Sequence, residues 1–249
     1  MGMPTQASAW EETTNANYTL PSEKTHSSAQ SANADAVEGK FPTLWHLIHQ
    51  DYRRYWAAGA RNALSVIALT QGFWASCVFR VSHWTLDHCR IPVLRIIAKA
   101  GCVLCQKFIE IVTGICVPGR CNIGPGLYIG HFGNIFVDSE ARIGANCNLA
   151  QGVTIGKGGR GELHGVPVLG DRVHLGANAV ILGKISIGDD AVIGPGAVVM
   201  NSVPARGVAM GNPARIVGTS GSFEFVHYDG MENDPARKES LENLKAKES

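Results

Sequence analysis

One histidine stands apart by its company. His131 lies in the stretch LYIGHFGNIF, residues 127–136, among isoleucines, glycines and aromatics. An imidazole titrates near pH 6.5, so at neutral pH it both accepts and releases a proton, and its neutral form binds metals. Three roles therefore stay open for His131 from the residues alone: a structural histidine in a polar corner, a metal ligand and a proton carrier. His164 sits in a polar, glycine-rich stretch where it could meet a substrate. His174 precedes Leu175 and reads as a surface residue that a neighbouring subunit could bring into a cleft. His83 and His88 accompany a helical pattern, and His26 and His227 fall in the polar ends of the chain. A three-histidine metal centre needs two ligands close in register, and His131, His164 and His174 are spaced poorly for one. The seven cysteines (77, 89, 102, 105, 116, 121, 147) show no zinc-like pairing. Cys102 and Cys105 form a C-x-x-C inside a helical pattern with no second pair, so the expectation is free thiols and no metal. Free thiols suit a reducing compartment, and the chain starts without a basic-then-apolar signal, so a cytoplasmic protein is expected.

The elements that must position these residues follow from periodicity. Residues 1–40 carry few large aliphatics and read as a disordered leader. Residues 41–115 read as an α-helical domain. The stretch TLWHLIHQDYRRYW opens at a cap, Thr43, with Leu44, Leu47 and Ile48 on one face. A second helix repeats Phe73, Cys77, Val81 and Trp84. A third opens at Pro92 with the stripe Leu94, Ile97, Gly101, Leu104, Phe108 and Ile111. Arg95, Lys99, Lys107 and Glu110 interrupt that last run, which favours a packed helix over a membrane span. Residues 41–116 hold eight Lys/Arg against three Asp/Glu, an excess that suits a solvated face, with weak attraction to an anionic surface as the alternative. The overall charge of +1 gives no reason to expect nucleic acid as a partner.

After Val117 the period becomes six. Ile123, Ile129 and Ile135 are followed, after two extra residues, by Ile143, Leu149 and Ile155. Leu169, Leu175, Ile181, Ile187, Ile193 and Val199 then hold the step without a slip. Such a step fits neither a helix nor simple strand alternation; it is a hexapeptide-repeat β-solenoid, here over 116–218. Each aliphatic points inward and stacks on the next coil, and a glycine beside it relieves crowding at the corner, where positive φ is expected. The register breaks between Ile155 and Leu169, where the polar, basic segment GKGGRGELHGVPV reads as a loop extruded over 157–167. Residues 219–249 form a charged tail in which composition leaves a short helix and disorder both open.

Three stretches carry a family resemblance: IGPGLYIGHFGNIFVDSEARIGANCNLAQGVTIG, ILGKISIGDDAVIGPGAVVMNSVPA and GNPARIVG. With helices ahead of them, they resemble the serine acetyltransferase family of acetyl-CoA-dependent O-acyltransferases over about 43–218. The resemblance implies an N-terminal helical segment followed by a left-handed parallel β-helix, an exception to the usual crossover hand. It implies that His131 is the catalytic base. On that reading His131 takes the proton of an acceptor hydroxyl as the oxygen attacks a thioester, and it returns a proton to the departing CoA sulfur. Acetyl-CoA is the implied co-substrate, held at Gly211, Asn212, Pro213, Ala214 and Arg215, with Lys157 and Arg160 as further candidates for its phosphates. Gly130 and His164 are the candidate acceptor contacts. A homotrimer with its clefts between subunits is implied, and the helical segments could join two trimers.

The chain departs from the family pattern beside the histidine. An acidic residue belongs directly before it, and Gly130 stands there; a second acid that would orient the ring falls by register at Cys116. The basic pair that would hold a carboxylate aligns with Gly165 and Val166. L-Serine is therefore the nominal first acceptor, giving O-acetylserine for cysteine biosynthesis, and a sugar hydroxyl of polysaccharide or capsule assembly is the alternative. A metal-dependent hydratase and a non-catalytic scaffold on the same solenoid are the readings from other classes.

Overall fold

The computed structural model describes residues 43–60, 62–89 and 91–248. The expected leader, with His26, lies outside them. Four helices come first: α1 Leu44–Ala57, α2 Ala63–Leu69, α3 Gln71–His88 and α4 Pro92–Thr113. Thr43 caps α1 as its side chain accepts from the His46 N–H at 3.3 Å, and Asn62 does the same for α2 through Ser65 at 2.7 Å. Gly114 closes α4 in the left-handed region at φ 69°, where its N–H donates to the Glu110 carbonyl.

Two helical stripes face differently from their sequence patterns. On α3, Val81 and Trp84 are exposed, and the buried face is Gly72, Phe73, Ala75, Ser76, Phe79, Arg80, Ser82 and Thr85. Small residues let this helix approach the solenoid closely: a Cβ on Gly72 would lie 2.1 Å from the Ile129 carbonyl oxygen. On α4 the apolar period is as expected, but Leu94, Ile97, Leu104, Phe108 and Ile111 point away from the protomer, Ile111 with 83% of its surface free. Among the described residues no single helix is long and apolar enough to cross a membrane; α2 and α3 reach that composition only as a pair bent by 76°.

The solenoid then winds through three parallel sheets in turn. Sheet A holds β1 Ile115–Cys116, β4 Ile135–Val137, β7 Thr154–Gly156, β10 Val180–Leu182 and β13 Val198–Val199. Sheet B holds β2 Asn122–Ile123, β5 Arg142–Ile143, β8 Val168–Leu169 and β11 Ser186–Ile187. Sheet C holds β3 Tyr128–Ile129, β6 Asn148–Leu149, β9 His174–Leu175, β12 Val192–Ile193 and β14 Val208–Met210, with β15 Arg215–Gly218 added antiparallel at its end. All twelve aliphatics of the six-residue step are buried, stacked as Ile123–Ile143–Leu169–Ile187, Ile129–Leu149–Leu175–Ile193 and Ile155–Ile181–Val199, the last column continued below by Val137 on Ile155 while Ile135 stacks on Ile115. Each rung is only two or three residues and gains its core from the next, so no rung stands alone. The glycines beside the aliphatics differ from expectation in one respect: they serve close approach rather than positive φ. A Cβ on Gly144 would meet the Gly170 carbonyl at 2.4 Å, and the left-handed corners fall instead on residues such as Asn146, Asn178 and Asp190.

The three outer faces are unlike one another. Sheet B shows exposed Asn122, Arg142, Val168 and Ser186. Sheet C is covered by the C-terminal segment, which is ordered and ends in α5, Pro235–Glu248. Phe225 stacks on His174 with centroids 4.7 Å apart, and its carbonyl accepts from Asn148 at 2.8 Å. Ser222 donates to the Arg172 carbonyl, and Arg237 donates to the Val226 and Phe223 carbonyls at 2.8 and 2.9 Å. Arg172 holds Asp190, and Ser240 of α5 reaches the same carboxylate. His174 is thus covered by the tail rather than displayed, and burial alone lowers its pKa below the usual histidine value. Sheet A keeps an open column of Cys116, Phe136, Thr154, Val180 and Val198, and it follows directly from α4.

Candidate active site

The corners between sheets C and A stack into one edge, and this edge gathers most of the predicted residues. Hydrogen bonds climb it from corner to corner: Gly152 donates to Gly133, Asn178 to Gln151, Gly196 to Ala177 and Val198 to Gly211. His131 occupies the lowest corner, between β3 and β4, with its side chain exposed. The turn Gly211–Asn212–Pro213–Ala214 occupies the highest, where Gly211 takes φ 94° and Ala214 N–H donates to the Val198 carbonyl at 2.9 Å. Arg215 begins β15 and is exposed, with one guanidinium N–H on the Ala214 carbonyl. At about 4.8 Å per rung, the two ends of the edge are roughly 19 Å apart.

The loop leaves from the opposite edge, between sheets A and B. It begins after β7, folds back through mutual Gly158 and Gly165 hydrogen bonds, makes a single 3₁₀ turn at Gly161–Leu163 and returns to β8. His164 ends that turn, exposed, with Nδ1 3.4 Å from the Gly159 carbonyl. Lys157 is engaged by Glu140 at 3.0 Å, and Arg160 is exposed. Within one protomer the width of sheet A separates Lys157, Arg160 and His164 from the His131 edge. The structure brings together His131, Gly130 and, up the same edge, the 211–215 turn; within the protomer it keeps the loop residues apart from them.

The lowest rung is pinned by the helices. Asp51 of α1 accepts from Gly126 and Leu127 N–H groups at 3.0 and 2.9 Å and from Arg80 of α3 at 2.9 Å. Arg80 in turn donates to the Ile123 and Gly124 carbonyls, both at 2.7 Å. The Tyr55 hydroxyl donates to the Ile129 carbonyl at 3.1 Å. Beside Gly130 stands Tyr128: a Cβ at position 130 would lie 3.2 Å from Tyr128 Cε1 and 3.4 Å from its hydroxyl. Tyr128 was not singled out from the sequence, although strand alternation puts 128 and 130 on one face. Its ring packs on Tyr55 with centroids 4.9 Å apart and on the Arg54 guanidinium at 5.8 Å. Arg54 is buried and committed to carbonyls of Gly126, Asn146 and His227 and to the Asn148 side chain; burial brings its pKa down to about 10. Cys116, at the family's second acidic position, contacts Glu110 of α4; burial first, and then that carboxylate, push its thiol up to about 11. All seven cysteines are free thiols.

Stacked six-residue repeats with an exposed histidine at one end of a corner ladder and a small-residue turn at the other define a hexapeptide-repeat solenoid of the transferase kind. Residues 167–201 match the family model for bacterial transferase hexapeptide (six repeats). Among similar proteins, the serine acetyltransferase of Synechococcus elongatus is 33% identical over 165 residues, 65% of this chain and 63% of that protein. That of Staphylococcus xylosus is 33% identical over 65% of this chain and 71% of its own length. The crystal structure of serine acetyltransferase from Brucella abortus strain S19 in complex with coenzyme A superposes with a TM-score of 0.61 at 26% identity, covering 78% of this chain and 72% of that one. The chain belongs to the serine acetyltransferase family.

Proposed function

We propose that this protein is an acetyl-CoA-dependent O-acetyltransferase in which His131 is the general base. The observation that carries the reading is the corner edge itself, an exposed imidazole in line with a turn of small residues that ends in an exposed guanidinium. Acetyl-CoA supplies the acetyl thioester. Gly211, Pro213 and Ala214 leave room beside the edge for its pantetheine arm, and Arg215 offers charge to its phosphates. A ring nitrogen of His131 takes the proton from the acceptor hydroxyl as that oxygen bonds to the carbonyl carbon. The carbon–sulfur bond then breaks, and the proton passes to the CoA sulfur. A hydroxyl far above neutrality in pKa needs such a base, which typically contributes about 10²–10⁴-fold.

The active assembly is a homotrimer. Sheet C is closed by the tail and sheet B is polar, whereas sheet A and the outward face of α4 are apolar and open, so a second copy has one suitable face to cover. Packing there lets a neighbour's loop, with His164, Lys157 and Arg160, meet the His131 edge. The same α4 face is where two trimers could join. The reaction is assigned to the cytoplasm, which the seven free thiols support.

The relatives' names make L-serine the first acceptor to try, giving O-acetylserine. A sugar hydroxyl is the second reading, favoured by Gly130 and Cys116, which stand where the family pattern has acidic residues. Purified protein with acetyl-CoA and a thiol reagent tests the whole: acceptor-dependent CoA release is expected, falling about 10²–10⁴-fold in His131→Ala. Unchanged turnover in that variant would reject the base.

A further inference from the structure

We infer that the first half of α4 is a membrane-docking surface, with its apolar side lying in the plane of an anionic lipid bilayer. The inference is independent of the proposed transfer at His131. From Val93 to Leu104 only Ala98, Lys99 and Cys102 are even half-buried, and every other residue is exposed. Six of the exposed ones are large and apolar: Val93, Leu94, Ile96, Ile97, Val103 and Leu104, with 53–71% of their surface free. At 1.5 Å per residue they stand about 14–30 Å along the helix from Thr113, where α4 ends against the solenoid. Phe108 and Ile111, nearer sheet A, go with a copy packed on that sheet; the first half of the helix lies beyond it.

Breadth and charge point to lipid rather than to a second trimer. At 3.6 residues per turn the six aliphatics cover about half the helix circumference, the half opposite Ala98 and Cys102. A helix packed on a protein neighbour buries a stripe of about 100°, whereas one lying at the headgroup boundary sinks a whole side. α4 carries three cations, Arg95, Lys99 and Lys107, against one carboxylate, Glu110. Lys107 engages Glu110 at 2.5 Å, while Arg95 and Lys99 have no acidic partner among the described residues. Packing this half against its own copy would gather the unpaired cations of both chains with no carboxylate between them. Against anionic headgroups the same charges attract. Lys99 falls at the border of the apolar half, where its stem can lie on hydrocarbon while the ammonium stays at phosphate level. The basic residues that count against a span are thus the ones an in-plane helix uses.

The test is flotation of the full chain with vesicles of phosphatidylcholine alone and of an equal mixture of phosphatidylcholine and phosphatidylglycerol. The chain is expected to float with the mixture and to bind phosphatidylcholine alone at least about tenfold more weakly. Ile97→Glu with Leu104→Glu changes two exposed positions, so the circular dichroism spectrum and the sedimentation rate should hold while binding to the mixture falls about tenfold or more. Arg95→Gln with Lys99→Gln leaves the apolar side intact and should lower the same binding by about 10–30-fold. A wild-type chain that stays with the soluble fraction overturns the assignment, as does undiminished binding by either variant. Sedimentation of the Ile97→Glu, Leu104→Glu chain as a smaller species would show a second copy on this face and overturn it too. None of these results bears on the transfer at His131, which CoA release reads separately.

Discussion

The two edges of sheet A divide the proposed chemistry between them. The edge at His131 is anchored: its lowest rung is tied to α1 and α3 through Asp51, Arg80, Tyr55 and Gly72, and its upper corners are linked by hydrogen bonds to the turn at 211–214. The loop edge carries exposed residues on a short fold-back, tied to the solenoid by contacts such as the Lys184 N–H on the Leu163 carbonyl. The difference teaches that, on the proposed reading, one chain carries two half-sites on opposite edges of sheet A, the base on the edge tied to the helices and the polar loop residues on the other. A site assembled from one rigid and one adaptable half suits a reaction in which the acceptor must enter, be enclosed and leave.

That division can be broken most severely by mixing experiments. His131→Ala, and separately a chain whose residues 159–164 are replaced by a short glycine linker, should each lose about 10²–10⁴-fold in turnover. Co-refolding the two should restore a measurable fraction, because some clefts then combine an intact base with an intact loop. No recovery in mixed oligomers would place both halves in one chain. Next in size, Asp51→Asn strips Arg80 of its buried partner and should cost about 3–5 kcal/mol, read as a fall in unfolding midpoint. If stability is unchanged, the helices do not pin the His131 edge. A third substitution sharpens the role of the open face. Ile111→Glu touches nothing buried in the protomer and should leave the circular dichroism spectrum intact while shifting sedimentation to a smaller species. The smallest effect concerns the covered sheet. His174 has its folded pKa depressed by burial, so the unfolded chain binds the extra proton first. Stability contributed by its neutral form is full above about pH 6.5 and falls as pH drops below it. His174→Leu should flatten that slope in pH-dependent denaturation; an unaltered slope would show the ring to be freely protonated beneath Phe225.

How much of this was readable in the sequence depends on how far each residue reaches. The six-residue step needs only local comparison, and every aliphatic it picked out is buried, from Ile123 to Val199. Thr43 and Pro92 were likewise legible because a helix start is a local event. Arg80 was not. Its partners are Asp51, 29 residues earlier, and the Ile123 carbonyl, 43 residues later, so a buried guanidinium on α3 is visible only once the chain is folded. Val81 and Trp84 matched a helical period yet face outward, because close approach to the solenoid selected Gly72, Ala75 and Ser76 instead. The α4 stripe had the right period, but it stays exposed in the protomer, and pattern alone cannot tell a core face from an outward one. Of the candidate residues, His131 and the 211–215 turn could be marked from motif, while the packing of Tyr128 on Gly130 could not, since it follows from how the ring turns.

The strand that ends the solenoid has a consequence for solubility. A parallel stack finishes with a row of unpaired amides and carbonyls, which invites the next chain to continue it. Over sheet C that row is taken by β15, which runs antiparallel to β14 with Met210 opposite Arg215 and Val208 opposite Gly218. A reversed strand cannot template another turn of the same coil. Removing 215–218 from a shortened variant should therefore bare Val208–Met210 and favour end-to-end filaments, visible as light scattering that grows with concentration.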